Sequence, residues 1–207
     1  MPLQNRVCPD GQIISHAARG MLMGNRGGRL HDPDTKNLIK TQSSKQWICC
    51  VLQFKQRQRT VMGTGYTELF FLDEVTALAA GHRPCFECRR VDAKTFSRHW
   101  QLSQGLAKPP TAPQMDKELS LQRRGKSATK PVWASSLAAL PDAAMVRVDG
   151  QMAALHQGQL LRWSPSGYEA RIPFNLNIDV EVLTPRTIVA ILHNGYKPLW
   201  HASADNC

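Results

Sequence analysis

Short runs of apolar and aromatic residues predict the elements of the N-terminal half of the chain. Residues 46–54 form the run Gln-Trp-Ile-Cys-Cys-Val-Leu-Gln-Phe, whose aromatic and β-branched content is typical of a strand. Residues 67–72 predict a second strand. Asp73 then predicts the N-cap of a short helix over residues 74–80, which Gly81 ends. This half of the chain therefore mixes strands with helices.

A further helix and a connector follow. Phe96 and Trp100 lie four positions apart within residues 91–102, which is the spacing of one helix face. Residues 103–131 combine prolines with basic residues. That composition predicts a connector, mobile in part, that holds a short helix over residues 113–124.

The last third of the chain predicts a small β-rich unit. Asp149-Gly150 and Gln157-Gly158 separate apolar runs by two residues, a spacing typical of β-hairpins. Gly195 predicts the end of a closing helix near residues 185–194. The predicted strands of this unit are residues 144–148, 152–156, 159–163 and 180–183.

Cysteine spacing favours a metal site over a disulfide framework. The six cysteines are Cys8, Cys49, Cys50, Cys85, Cys88 and Cys207. A C-x-x-C motif without a secretion signal indicates metal or redox chemistry, and zinc prefers thiolate ligands in a tetrahedron. A thioredoxin-like redox pair needs a strand leading directly into a helix, whereas Cys85 and Cys88 follow a helix end and Pro84. We therefore predict zinc at a knuckle formed by residues 81–90.

The predicted strand over residues 46–54 offers further ligands to this knuckle. Successive side chains on a strand point to opposite faces. One of Cys49 and Cys50 is therefore expected to face the knuckle, and the other to pack in the core. Which of the two faces it stays open, and either could be an inert buried thiol.

These elements predict an α+β protein made of two units. The first, residues 1–103, is a small α/β unit around the zinc knuckle. The second, residues 132–207, is β-rich with a closing helix, and residues 104–131 form the basic connector.

No apolar stretch approaches about 18 residues, and residues 1–30 carry arginines but no apolar core of a signal peptide. We expect a cytoplasmic protein that does not enter membranes.

The formal net charge is +10, and the basic excess is concentrated in residues 1–60 and 101–131. Such an excess fits a face that binds nucleic acid, since phosphate contacts release counterions. It fits equally well the solubilising charge of an ordinary surface. Neither a P-loop nor a dinucleotide-binding glycine motif occurs, so nucleotide hydrolysis is not supported.

The segment Gly20–Thr35 is rich in glycine and polar residues and shows neither helical nor strand periodicity. It predicts an ordered loop in which glycines allow close approach of a ligand. A catalytic role for His31 beside Asp32 is one hypothesis, and a hydrogen-bonded loop network is the other. The polar residues of this segment are Asn25, Arg26, Arg29, His31 and Asp32.

Two stretches resemble the Ada-type metal-binding domain. They are residues 69–90, Leu-Phe-Phe-Leu-Asp-Glu-Val-Thr-Ala-Leu-Ala-Ala-Gly-His-Arg-Pro-Cys-Phe-Glu-Cys-Arg-Arg, and Trp47-Ile48-Cys49 upstream. The resemblance covers residues 46–91. It implies that four cysteines bind zinc and that one accepts a methyl group from a DNA phosphotriester, with zinc keeping the acceptor as a thiolate.

On this resemblance Cys49 matches the methyl acceptor, and Cys85 and Cys88 match the last two ligands. The family has a further cysteine four positions after the acceptor, where this chain has Gln53. The fourth ligand would then be water or another side chain, and water would make the zinc site a catalytic one. The candidate side chains are Cys8, Cys50, His31 and His82.

Three hypotheses follow. The leading one is a zinc-binding, DNA-associated protein acting in DNA damage response, with Cys49, Cys50, Cys85 and Cys88 as candidate metal ligands. The second is an enzyme whose active site includes Gly20–Thr35, with Asn25, Arg26 and His31 lining a pocket and a structural zinc. The third is a zinc-stabilised interaction module without chemistry. In the first, five arginines contact DNA phosphates: Arg57, Arg59, Arg83, Arg89 and Arg90.

Overall fold

A computed structural model gives the fold of residues 1–58, 60–123, 130–174 and 178–207. Within these residues the chain forms two six-stranded sheets and four α-helices, which confirms the predicted α+β class. No helix in the described part of the chain is long and apolar enough to cross a membrane.

The first sheet belongs to the N-terminal half and has mixed strand directions. Its strand order is β2-β1-β5-β3-β4-β6. β1 pairs with β5, and β4 with β6, in parallel, whereas the remaining neighbours are antiparallel. The strands are β1 (Gln4–Val7), β2 (Ile13–Ser15), β3 (Leu22–Asn25), β4 (Ile48–Cys50), β5 (Leu69–Phe71) and β6 (Arg83–Pro84).

The second sheet belongs to the C-terminal half and is antiparallel throughout, in the order β11-β10-β9-β8-β12-β7. Asp149-Gly150 and Gln157-Gly158 have positive φ angles, which the tight turns of right-twisted hairpins require, so both predicted hairpins are confirmed. The strands are β7 (Trp133–Ser136), β8 (Met145–Val148), β9 (Gln151–His156), β10 (Gln159–Ser164), β11 (Gly167–Ile172) and β12 (Asp179–Val182).

Four α-helices complete the described part of the fold. The predicted N-cap is confirmed, because the Asp73 carboxylate accepts the Thr76 N–H at 2.8 Å. The predicted helix of the connector is present one residue earlier than expected. The helices are α1 (Glu74–Ala79), α2 (Arg90–Ser103), α3 (Ala112–Arg123) and α4 (Arg186–His193).

One core contains side chains from all three predicted segments. Phe96 of α2, Met115 of α3 and Leu161 of β10 belong to the same cluster of buried residues. A further cluster covers the second face of the C-terminal sheet, and another covers one face of the N-terminal sheet. Side chains from both halves of the chain therefore share one core, and the division into two units near residues 103 and 131 stays a prediction.

The C-terminal segment is attached to the start of α1 by buried hydrogen bonds. Tyr168 donates its hydroxyl to Asp73 at 2.9 Å, and Tyr196 donates its hydroxyl to Glu74 at 2.7 Å. The backbone N–H groups of Leu199 and His201 donate to the same two carboxylates. Helix α1 leads directly into the cysteine knuckle, so these bonds fix the knuckle relative to the second sheet.

The segment Gly20–Thr35 differs from its prediction as a loop. Residues 22–25 form β3, a central strand of the first sheet. Three of the four residues are buried, so the strand lacks the alternation by which a half-buried strand is recognised. Gly24 allows the close packing, since a β-carbon there would lie 2.3 Å from the Ile48 carbonyl oxygen and 2.6 Å from the Phe71 ring.

Candidate metal centre

Three cysteine sulfurs form the centre of the site. The Sγ atoms of Cys50, Cys85 and Cys88 all lie within 4.8 Å of one another. In a tetrahedral zinc site with Zn–S bonds of about 2.3 Å, two sulfurs are separated by about 3.8 Å. The three thiols therefore fit a zinc ion with small side-chain adjustments, and thiolate is a ligand type that zinc prefers.

The sheet brings these cysteines together. Strand β4 runs parallel to the short strand β6, with Cys49 opposite Pro84, so that Cys50 and Cys85 follow as neighbours at the sheet edge. The Cys85 N–H donates to the Cys49 carbonyl oxygen at 3.0 Å. The turn after β6 then places Cys88 beside Cys85, and the Glu87 N–H donates to the Cys85 sulfur at 3.4 Å.

Hydrogen bonding within the cluster lowers the pKa of two thiols and raises the pKa of the third. Hydrogen bonds from Cys50 lower the pKa of Cys85 to about 5 and also lower the pKa of Cys88. The same hydrogen bonds raise the pKa of Cys50 far above its ordinary value. Cys85 and Cys88 therefore ionise readily, and the thiolate is the form that binds a metal.

Cys49 lies on the opposite face of β4. Its side chain is 0% exposed and packs with Leu69, Phe71 and Ala77. Burial raises the pKa of its thiol, although Arg89 donates a hydrogen bond to its sulfur at 3.5 Å. The structure does not bring Cys49 into the three-sulfur cluster, and it gives the sulfur no access to solvent.

Among the residues that the structure describes, no fourth Cys, His, Asp or Glu joins the cluster. Cys8 belongs to the central core. His82 is buried beneath Arg26, whose Nε donates to His82 Nε2 at 3.3 Å. Both ring nitrogens of His31 are hydrogen bonded, Nδ1 to the Thr67 hydroxyl at 2.6 Å and Nε2 to the Gly63 carbonyl at 2.8 Å.

A cavity of about 280 Å³ lies over the three sulfurs. All three cysteines line this cavity. The part of the three-sulfur cluster that protein atoms do not cover therefore opens onto the cavity. An ion pair lies in its wall, where Arg57 donates to Glu87 at 2.6 Å and both side chains are about half exposed. The other polar side chains of the wall are Asn25 and Tyr66, and Phe54 adds an aromatic surface.

Of the five arginines predicted to contact phosphates, two are buried, two lie at the surface and one is outside the described residues. Arg83 and Arg89 are buried, because Arg83 pairs with Asp116 at 2.8 Å and Arg89 with Glu74 at 2.7 Å. Arg57 lies in the cavity wall and Arg90 is exposed at the start of α2. Arg59 lies outside the described residues. Only Arg57 and Arg90 of the four described arginines present guanidinium groups at the surface.

The polar cluster of Gly20–Thr35 contributes one residue to the cavity. Asn25, at the end of β3, lines it. Arg26 is buried instead, with its guanidinium stacked 3.8 Å from the Trp47 ring centre and donating to the Gly11 carbonyl at 2.9 Å. Asp32 accepts the Thr35 N–H at 2.8 Å and stabilises a turn. The pocket predicted by the enzyme hypothesis thus receives Asn25, but neither Arg26 nor His31.

Three residues of the cavity wall, Tyr66, Phe54 and Glu87, are not among the site residues that the sequence predicts. Glu87 could have been found from its position inside the C-x-x-C motif. Tyr66 and Phe54 lie outside any motif and reach the cavity only through the path of the loop between β4 and β5.

Comparisons of the chain with protein-family models, with curated proteins and with solved structures find no match.

Proposed function

We propose that this is a zinc protein in which Cys50, Cys85 and Cys88 hold the ion and a fourth coordination position faces the cavity. The observation that carries the proposal is the grouping of three sulfurs, without a fourth ligand among the described residues, at the wall of an open space. Structural zinc sites use four protein ligands, whereas catalytic sites keep one position for water or substrate. The ligand set therefore favours a site that acts on a bound molecule.

The surrounding residues support binding of a polar or anionic group at that position. A bound zinc ion would polarise such a group as a Lewis acid and would keep its thiolates nucleophilic. Asn25 uses its Oδ1 to accept the Gly27 N–H at 3.0 Å, which leaves its amino group to donate. Arg57 provides positive charge in the cavity wall, held there by Glu87.

Metal analysis of the purified protein tests this proposal. About one zinc per chain is expected, and Cys85→Ser should lose it. Replacement of zinc by Co²⁺ then probes the open position, because an added small anion such as azide would bind the cobalt and shift its visible absorption. The open site would be contradicted if the protein held no zinc. It would also be contradicted if azide, at every concentration, left the visible absorption of the cobalt form unchanged.

As a second candidate we propose that the partner is nucleic acid, with DNA as the favoured form and damage response as the role. The net charge of +10 supports a polyanionic partner. Exposed Arg90 and the cavity residue Arg57 would contact phosphates. The resemblance of residues 46–91 to the Ada-type domain supports alkyl transfer to a zinc-bound thiolate.

In that reaction a sulfur would bond to the methyl carbon while the phosphate oxygen leaves with the electrons of its C–O bond. Cys49 is the acceptor that the resemblance implies, and its burial means that the acceptor strand would have to open. Cys88 is partly exposed in the cavity and is the more accessible thiolate. Peptide mass spectrometry after incubation with DNA carrying methyl phosphotriesters would locate the methyl group. Unmodified cysteines would eliminate the transfer reaction.

Two alternatives use the same site differently. An enzyme with its active site in Gly20–Thr35 would depend on Asn25, the polar residue of that segment that lines the cavity. A zinc-stabilised interaction module would need the metal for folding alone. All six cysteines are free thiols in the structure, and we propose the reducing cytoplasm as their location.

A further inference from the structure

One face of the first sheet carries a row of side chains that runs from the metal centre to a basic region. Cys50 of β4 lies opposite Met23 of β3, Met23 opposite Phe70 of β5, and Phe70 opposite Arg6 of β1. Residues that are paired in register point to the same face of a sheet. Three strand spacings of about 4.8 Å place Arg6 about 14 Å from Cys50.

A second cavity, of about 640 Å³, lies at the Arg6 end of this row. Its lining combines two kinds of side chain. Arg6, His16 and Arg19 are basic, and no acidic residue lines the cavity within the described part of the chain. Leu52, Val61 and Phe70 form an apolar wall, and Leu52 is 45% exposed while Val61 is 37% exposed.

The three basic side chains have N–H groups that can donate hydrogen bonds to a ligand. Arg6 is held by the Ala18 carbonyl, which accepts from Nε, and by the Asn5 side chain, which accepts from Nη1. Burial and the nearby Arg19 lower the pKa of Arg6, as expected where positive charges lie close together. Arg19 is exposed and makes no hydrogen bond or ion pair with the residues that the structure describes.

His16 adds a third donor. Its Nδ1 accepts the Ala18 N–H at 3.1 Å. In the neutral ring the proton is therefore carried by Nε2, which can donate to an anion. Two guanidinium groups and one imidazole N–H thus line the same cavity, and no carboxylate of its lining neutralises them.

We infer that this cavity binds a phosphate ester, with the phosphate on Arg6, His16 and Arg19 and the organic part on the apolar wall. A phosphate offers three terminal oxygens and up to two negative charges, which match two guanidinium groups and an imidazole donor. The wall of Leu52, Val61 and Phe70 favours an ester over inorganic phosphate. The ester is either a small phosphorylated metabolite or the end of a nucleic acid strand.

The site is separate from the metal centre, so the two proposals can fail independently. Titration calorimetry of the protein would use phenyl phosphate, inorganic phosphate, and a trinucleotide with or without a 5′-phosphate. Phenyl phosphate is expected to bind at least tenfold more tightly than inorganic phosphate, because its ring buries apolar surface. Tighter binding of the 5′-phosphorylated trinucleotide would identify a strand as the source, and tighter binding of phenyl phosphate a small metabolite.

Arg19→Ala should weaken binding of the phosphorylated probes about tenfold, since a charge-assisted hydrogen bond is lost. Arg98→Ala removes the same charge from an exposed position of α2 outside the cavity and should leave binding unchanged. Leu52→Asp places a carboxylate in the apolar wall and should abolish binding. Zinc content and melting temperature should be unchanged in Arg19→Ala. Equal weakening by Arg19→Ala and Arg98→Ala, or no binding of any probe at about 1 mM, would overturn the assignment.

Discussion

Cys49 and Cys50 are consecutive in the chain, yet their side chains lie on opposite faces of the first sheet. Cys50 belongs to the three-sulfur cluster beneath the open cavity. Cys49 is completely buried on the other face, where Arg89 donates to its sulfur. The alternation of a strand therefore separates a thiol that is suited to hold a metal from a thiol that is suited to pack.

This separation predicts opposite outcomes for two conservative variants. Cys50→Ser should lose zinc, because a hydroxyl is a poor replacement for a thiolate ligand. Cys49→Ser should keep about one zinc per chain and lose only a modest amount of stability, since its sulfur contacts Arg89 and apolar side chains. Metal content and urea unfolding of the two purified variants would be compared. Loss of zinc from Cys49→Ser but not from Cys50→Ser would show that the zinc ligand lies on the Cys49 face of β4 and would contradict the proposed site.

Gly24 should be essential to the same site, although it carries no ligand. A methyl group at residue 24 would meet the Ile48 carbonyl and the Phe71 ring at distances that force β3 and β4 apart. Because β4 positions Cys50, Gly24→Ala should lower both the zinc affinity and the free energy of unfolding, the latter by about 2 kcal/mol or more.

Gly65→Ala is the matched control for that variant. A β-carbon at residue 65 has nothing within 4 Å, and its backbone φ is not in the left-handed region. Zinc affinity, measured by competition with a chelator, should therefore be unchanged. Equal zinc affinities for Gly24→Ala and Gly65→Ala would show that the spacing of β3 and β4 does not set the position of Cys50.

Local chemistry made several elements predictable from the sequence. The cap of α1 follows from the side chain of Asp73 and the hairpins follow from Asp149-Gly150 and Gln157-Gly158, because each depends on neighbouring residues alone. The clustering of Cys85 and Cys88 follows from the C-x-x-C spacing. The choice between Cys49 and Cys50 could not be made, since it depends on the face of β4 that the knuckle approaches.

Long-range contacts account for what the sequence did not predict. Arg83 and Arg89 look like surface cations beside the motif, but their partners Asp116 and Glu74 lie 33 and 15 residues away. Strand β3 was missed because burial on both faces removes its alternation. Tyr66 reaches the cavity through the path of a loop, which no local pattern encodes.

The Arg83–Asp116 pair should contribute strongly to stability. Its two hydrogen bonds are 2.9 and 2.8 Å long, and the two side chains are only 2% and 11% exposed. Asp116→Ala would leave a buried guanidinium without its counterion, at a cost of about 3–5 kcal/mol. Chemical unfolding of the variant would measure this loss.

An exposed ion pair provides the comparison. Arg162 and Glu169 lie 3.4 Å apart with side chains 41% and 49% exposed. Glu169→Ala should therefore cost less than about 1 kcal/mol. If both alanine variants destabilised the protein to a similar extent, the burial of the Arg83–Asp116 pair would not be the source of its effect.

Lys130 predicts a pH dependence of stability. Burial lowers its pKa to about 8 from 10.5, and its ammonium group donates to the Leu183 carbonyl. Between these two pKa values the unfolded chain binds more protons than the folded chain, so this residue makes stability rise with pH. Below pH 8 both states are protonated, and the penalty for burying the charge is fully present.

Lys130→Met removes that titration and keeps much of the side-chain volume. The free energy of unfolding of wild type minus that of the variant should be lowest at pH 7. It should then rise by as much as about 3 kcal/mol as the pH passes through 8 toward 10.5. Urea unfolding of both proteins at matched pH values isolates this residue, because the other titrating groups cancel in the difference. A difference that stays constant from pH 7 to 10 would mean that Lys130 keeps its ordinary pKa in the folded chain, and hence that its ammonium group is solvated and not buried against Leu183.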